Sequence, residues 1–153
     1  MDVKYINPFI NATINVLETM AFTKAEAGKP YLKKDQVAQG DVTGVIGLIG
    51  GVSGTISVSF TEKSILSIVS NMFGEEMKEL NEEIKDAVGE ITNMISGQAR
   101  QELEGMGISL KAAIPSVIVG KNHSINHITK HPIIAIPFNT ANGGFTIEVC
   151  FEK

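Results

Sequence analysis

Val42 to Phe60 reads VTGVIGLIGGVSGTISVSF, and the fold turns on what its glycines are for. A phosphate-binding P-loop needs Lys-Ser/Thr directly after its last Gly, whereas here Thr55 follows Gly54 with no Lys between. A dinucleotide fingerprint must open a helix. The chain instead continues as a strand: Ile56, Val58 and Phe60 fall on one side, and Thr55, Ser57 and Ser59 on the other. Gly50-Gly51 is a favoured turn pair, so the stretch predicts a β-hairpin.

Helices are predicted on both sides of the hairpin. Asn7-Pro8 predicts a helix start upstream, since Asn can cap and Pro suits the first helical position. Ile10, Ile14, Leu17 and Ala21 then share a face, widened by Phe9, Val16 and Met20. Gly28 to Gly40 is polar and reads as a loop or an irregular edge. Downstream, Thr61 caps a second helix that Gly74 stops. Asn81 caps a third, with Glu82 and Glu83 at its positive end and Gly105 to Gly107 closing it. From Glu82 to Glu104 that helix is roughly 35 Å long. Strands are expected around Ile108–Val119, Pro132–Phe138 and Phe145–Phe151, with a turn at Asn142-Gly143-Gly144. Consecutive strands without crossovers indicate an α+β fold, long helices on a mostly antiparallel β-sheet.

Bulk properties narrow the function. A chain of 153 residues, 43% hydrophobic and 20% charged, fits one soluble domain spanning residues 1–153. A formal net charge of −4 argues against nucleic acid, whose backbone calls for a basic face. Lys29, Lys33 and Lys34 read as a solvated loop. Cys150 stands alone in an alternating strand and reads as a small core residue. No signal peptide and no membrane-spanning run is visible, so a cytoplasmic location is the default expectation. His123, His127 and His131 recur every four residues. Their neighbours favour loop or strand, where that step is roughly 13 Å and too long for one metal ion. No metal site is expected.

The third helix carries an unusual stretch, GEITNMISGQAR, from Gly89 to Arg100. At 100° per residue, Ile84, Val88, Ile91, Ile95 and Ala99 cluster within about 80° as a core face. Glu83, Asp86, Glu90, Asn93, Gly97 and Gln101 lie opposite. A solvated face accounts for the charged members and for Gln101. It accounts poorly for Asn93 and for Gly97, which costs about 1 kcal/mol of helix propensity relative to Ala. As a contact site, Gly97 lets a surface approach, Asn93 offers a neutral donor–acceptor end, and Glu90 offers a charge for a partner's cation. Geometry alone leaves both readings open.

Asp86-x-x-x-Glu90-x-x-Asn93-x-x-x-Gly97, with Pro115 downstream, resembles the signature of the CheC/CheX/FliY chemotaxis phosphatases, most like the CheX branch. The glycine-rich hairpin and AIPSVIVG extend the resemblance over most of the chain. It implies a CheC-like fold and hydrolysis of the aspartyl phosphate on a CheY-type response regulator. The regulator would bring the phosphorylated Asp, Mg²⁺ and a Lys, and this chain would bind no cofactor of its own. Asn93 would orient the attacking water and Glu90 would pair with the partner's Lys. Asp86, Met94 and Gly97 would contact the partner. The first helix lacks a second Glu-x-x-Asn, since Glu18 is followed three later by Ala21, so one site per chain is expected. The resemblance also implies a homodimer, with the terminal strand GGFTIEVCFEK as a candidate edge. Two rivals remain: a non-catalytic module like the middle domain of the flagellar switch protein FliM, and an adaptor that binds a regulator without hydrolysing its phosphate.

Overall fold

The computed structural model describes residues 3–33, 40–120 and 133–152. The chain opens with α1 (Val3–Ala21). Two short strands follow, β1 (Glu26–Ala27) and β2 (Tyr31–Lys33). The hairpin is β3 (Val42–Gly50) and β4 (Ser53–Phe60), in continuous register from Val42↔Phe60 to Ile49↔Ser53. Then come α2 (Glu62–Phe73), α3 (Glu82–Gly105), β5 (Leu110–Ala112), β6 (Ser116–Val119), β7 (Ile133–Thr140) and β8 (Gly143–Glu152). Three helices pack on an eight-stranded sheet in which every pairing is antiparallel. The α+β expectation holds. Among the described residues no helix is long and apolar enough to cross a membrane.

The caps read from sequence are in place. Thr61 Oγ1 accepts from the Ser64 N–H at 3.2 Å, and Asn81 Oδ1 accepts from the Ile84 N–H at 3.1 Å. Gly74 ends α2 at φ 70°, a conformation that favours glycine.

The first helix begins earlier than Asn7-Pro8 suggests. Pro8 lies inside it and removes one backbone donor without ending it. Its core face is also rotated. Ile6, Phe9, Ala12, Val16, Leu17 and Ala21 are buried, while Ile10 and Ile14 are half-buried and Met20 is exposed. The exposed Asn7, Asn11, Asn15 and Glu18 mark the opposite side.

Strand order departs further from expectation. The sheet runs β1-β7-β8-β4-β3-β5, with β2 also on β7 and β6 also on β3. The terminal strand β8 is therefore interior, paired with both β4 and β7, and is not an edge. Each true edge is two short strands in succession, an arrangement that limits unwanted edge pairing. The expected strand over Ile108–Val119 is broken at Ala113–Pro115, because Pro has no N–H to give a ladder. The turn before β8 is Ala141-Asn142, with Gly143 already in the strand at φ 116°.

One face of the sheet carries the apolar core with all three helices, including Ile46, Leu48, Ile56, Val58, Phe60, Phe138, Ile147 and Val149. The other face is polar yet buried: Thr43, Ser57, Ser59 and Glu148 are all fully shielded. Lys33, expected in a solvated loop, is buried here, its Nζ 2.5 Å from Glu148 Oε2. The pairing of β2 with β7 carries Lys33 onto that face, where a charge must be matched to be tolerated. Cys150 is buried in β8 and forms no disulfide among the described residues, as the sequence suggests.

Helix and sheet approach closely at Gly44 of β3. A Cβ there would lie 2.0 Å from Thr92 Oγ1 and 3.0 Å from Thr92 Cβ. Gly44→Ala should therefore destabilise the protein by about 1–3 kcal/mol through overpacking, measured by urea denaturation. Unchanged stability would mean that α3 is not seated by this contact.

Candidate functional site

Both faces of α3 are set by its seat on β3. Ile84, Val88, Ile91, Ile95 and Ala99 are each no more than 1% exposed, facing the core. Thr92 is buried as well, and its Oγ1 donates to the Val88 carbonyl at 2.7 Å, which satisfies the hydroxyl within the helix. With these residues down, Glu83, Asp86, Glu90, Asn93 and Gln101 are exposed and Gly97 is half-buried. Met94 sits at the boundary, half-buried and packed against the core cluster.

Glu90 and Asn93 are three residues apart and so neighbours on the helix surface. Among the described residues neither side chain has a hydrogen-bond or ion-pair partner within the chain, nor does Asp86. An exposed carboxylate and an exposed carboxamide are thus held on a rigid element with their polar ends unused.

Both flanks of this face are defined. On one side α1 is clasped to α3: Asn15 Nδ2 donates to Gln98 Oε1 at 2.7 Å and Asn11 Nδ2 to Glu102 Oε1 at 3.3 Å. On the other, β6 comes alongside, and a Cβ on Gly89 would touch Val117 Cγ2 at 3.5 Å. The connection between β5 and β6 carries Pro115 and Ile114, whose side chain is 89% exposed.

The comparisons with known proteins agree with one another. Residues 42–139, well over half of the chain, match the family model described as "Chemotaxis phosphatase CheX". The chain belongs to the CheX family. It is 29% identical over 137 residues to the CheY-P phosphatase CheX of Thermotoga maritima, covering 87% of this chain and 88% of that protein. It is 50% identical, at a TM-score of 0.90, to the crystal structure of a chemotaxis protein CheX from Desulfovibrio desulfuricans, with 97% and 99% of the two chains covered. A CheX-CheY-BeF3-Mg²⁺ complex from Borrelia burgdorferi shares the fold at 24% identity and a TM-score of 0.84, covering 99% of this chain and 100% of that one.

In this CheX-family chain all five residues singled out from sequence, Asp86, Glu90, Asn93, Met94 and Gly97, belong to one helix and one continuous surface. The first helix offers no equivalent. Its Asn15 amide is engaged with Gln98, and Glu18 stands exposed with Ala21 buried beyond it. Among the described residues no group of three or more His, Cys, Asp or Glu is placed to hold a metal. His123, His127 and His131 lie outside the described residues.

Two neighbours were not singled out from sequence. Ile114 stands highly exposed on the connection between β5 and β6, and its signal was its position beside Pro115. Arg100 lies one turn past Gly97 and is the chain's only arginine, a count that was there to be read.

Among the described residues nothing requires a glycine at 97. A Cβ there would meet only Arg100 Nη2, at 3.9 Å. Gly97→Ala should accordingly raise stability by up to about 1 kcal/mol from helix propensity alone. A higher thermal midpoint checks it; a fall would show that the glycine serves this chain's own packing.

Proposed function

We propose that this chain is a phosphatase that hydrolyses the aspartyl phosphate of a CheY-type response regulator. Family membership supports the class of reaction. The observation that carries the residue assignment is the exposed, internally unpartnered pair Glu90 and Asn93 on a helix whose rotation is fixed beneath them.

The regulator brings the phosphorylated Asp, its Mg²⁺ and a Lys. The Borrelia complex, in which a protein of this fold is seen with CheY, BeF3 and Mg²⁺, supports that division of parts. This chain supplies position. The Asn93 amide oxygen accepts one O–H of a water and turns its lone pair toward phosphorus, opposite the Asp oxygen that leaves. The water oxygen bonds to phosphorus, the phosphorus–aspartate bond breaks, and inorganic phosphate departs with the aspartate regenerated. A neutral amide does this without placing negative charge beside the phosphoryl oxygens. Glu90 takes the regulator's Lys as an ion pair, which docks the helix and sets its register. Asp86 and Met94 border the contact, and Gly97 lets the regulator approach the helix backbone.

On this reading the 153 residues act as one domain with one site per chain. The family resemblance further supports a homodimer. Since β8 is interior, the available edges are the β1/β2 side and the β5/β6 side. Sedimentation equilibrium should give twice the chain mass; a monomer across the micromolar range would remove the dimer from the proposal.

Phosphate release from phosphorylated CheY-type regulators of the same organism tests the activity. The protein should accelerate release, and Asn93→Ala should lower the maximal rate by roughly 100-fold while binding largely persists, as expected for lost positioning. Glu90→Ala should weaken binding as well as rate. Gly97→Ala, more stable in itself, should be less active. Full activity in Asn93→Ala would place the water elsewhere.

A further inference from the structure

The docking face has two electrical ends, and only one is used so far. Its N-terminal half is acidic and exposed, with Glu83, Asp86 and Glu90. Its C-terminal half carries Arg100, the only arginine in the chain, and one turn beyond it the exposed Glu104. Helical side chains lean toward the N-terminus, and this one does so firmly. Arg100 Nε donates to Ser96 Oγ at 3.3 Å, and Ser96 is fully buried. Nη2 lies over the bare backbone of Gly97, 3.9 Å from where a Cβ would stand. The guanidinium is thereby turned away from Glu104, the exposed carboxylate at i+4 that would ordinarily take it. Among the described residues it pairs with no carboxylate.

A half-buried guanidinium anchored by one nitrogen, with its other donors unpaired, is pre-organised for an anion brought from outside. We infer that Arg100 is a positioning residue that takes a surface carboxylate of the docked regulator, at the opposite end of the helix face from Glu90. The inference rests on the proposed docking of a CheY-type regulator along α3. Glu90 and Arg100 are ten residues apart, about 15 Å along the helix before the arginine leans back. Opposite charges at that separation admit the regulator in one direction along the helix and disfavour the reverse.

The test is steady-state hydrolysis of phosphorylated CheY-type regulators, together with titration of the same regulators loaded with BeF3 and Mg²⁺. Arg100→Gln should raise KM and the dissociation constant by roughly tenfold, with kcat changing much less and the thermal midpoint falling no further than in Ser96→Ala. The salt dependence of KM should flatten, because one cross-interface charge is gone. Arg100→Lys should recover part of the affinity, and Arg100→Glu should lose more than Arg100→Gln. Ser96→Ala, which frees the guanidinium, should raise KM in the same direction by a smaller factor. A loss in Arg100→Gln confined to kcat would place the guanidinium on the phosphoryl group and overturn the assignment. An unchanged KM and salt dependence would overturn it too, while leaving the phosphatase reading intact. Absence of wild-type acceleration with every regulator would overturn both.

Discussion

The contact between Gly44 and Thr92 governs what the surface of this protein can offer. A side chain as small as a methyl at 44 would sit 2.0 Å from the Thr92 hydroxyl, so the helix lies as low on the sheet as backbone and side chain permit. That depth is possible because Thr92 satisfies its own hydroxyl on Val88 and asks nothing of the strand. Asn93 is the next residue. A helix seated at 92 is restrained at 93, and the proposed water-positioning role of Asn93 depends on that restraint. The same seat presses Ile91 and Ile95 into the core on either side. Position at the site is therefore inherited from packing beneath it.

Local chemistry was legible in the sequence and long-range pairing was not. The hairpin, the caps at Thr61 and Asn81, and the stop at Gly74 each rest on a few neighbouring residues, and the structure has them where the residues place them. The position of β8 depends on β4, more than eighty residues earlier, and on β7, and no local pattern states that choice. Lys33 shows the same limit. Beside Lys34 and Asp35 it reads as solvated, yet its fate is set by Glu148, 115 residues away. Pro8 misled for a different reason: its preference for a first turn is real, but here it stands near the helix start at Val3, and the packed face from Phe9 to Ala21 offsets the hydrogen bond it removes.

The buried polar face of the sheet bears on the same point. Alternation in β4 suggests apolar residues inward and Thr55, Ser57 and Ser59 outward, but both sets are shielded. Small hydroxyl side chains tolerate either environment when they find partners, as Thr43 and Ser59 find each other at 2.8 Å. A period-two pattern therefore shows which residues share a face without showing which face meets water. On α3 the pattern does decide, because charged Glu83, Asp86 and Glu90 cannot be shielded cheaply without partners, and all three are exposed.

The site was legible as geometry before it was legible as chemistry. Spacing alone brings Glu90, Asn93 and Gly97 to one surface, and the structure keeps them there. It adds the asymmetry between the two long helices, which spacing does not reveal. On α1 the carboxamides of Asn11 and Asn15 are used to brace α3. On α3 the carboxamide of Asn93 is left free. The two helices thus differ: α1 uses its amides within the chain, and α3 leaves the Asn93 amide exposed, as the proposed contact with a regulator requires. A second site on α1 would need Asn15 released from Gln98, which would loosen the brace that holds Asn93 in place.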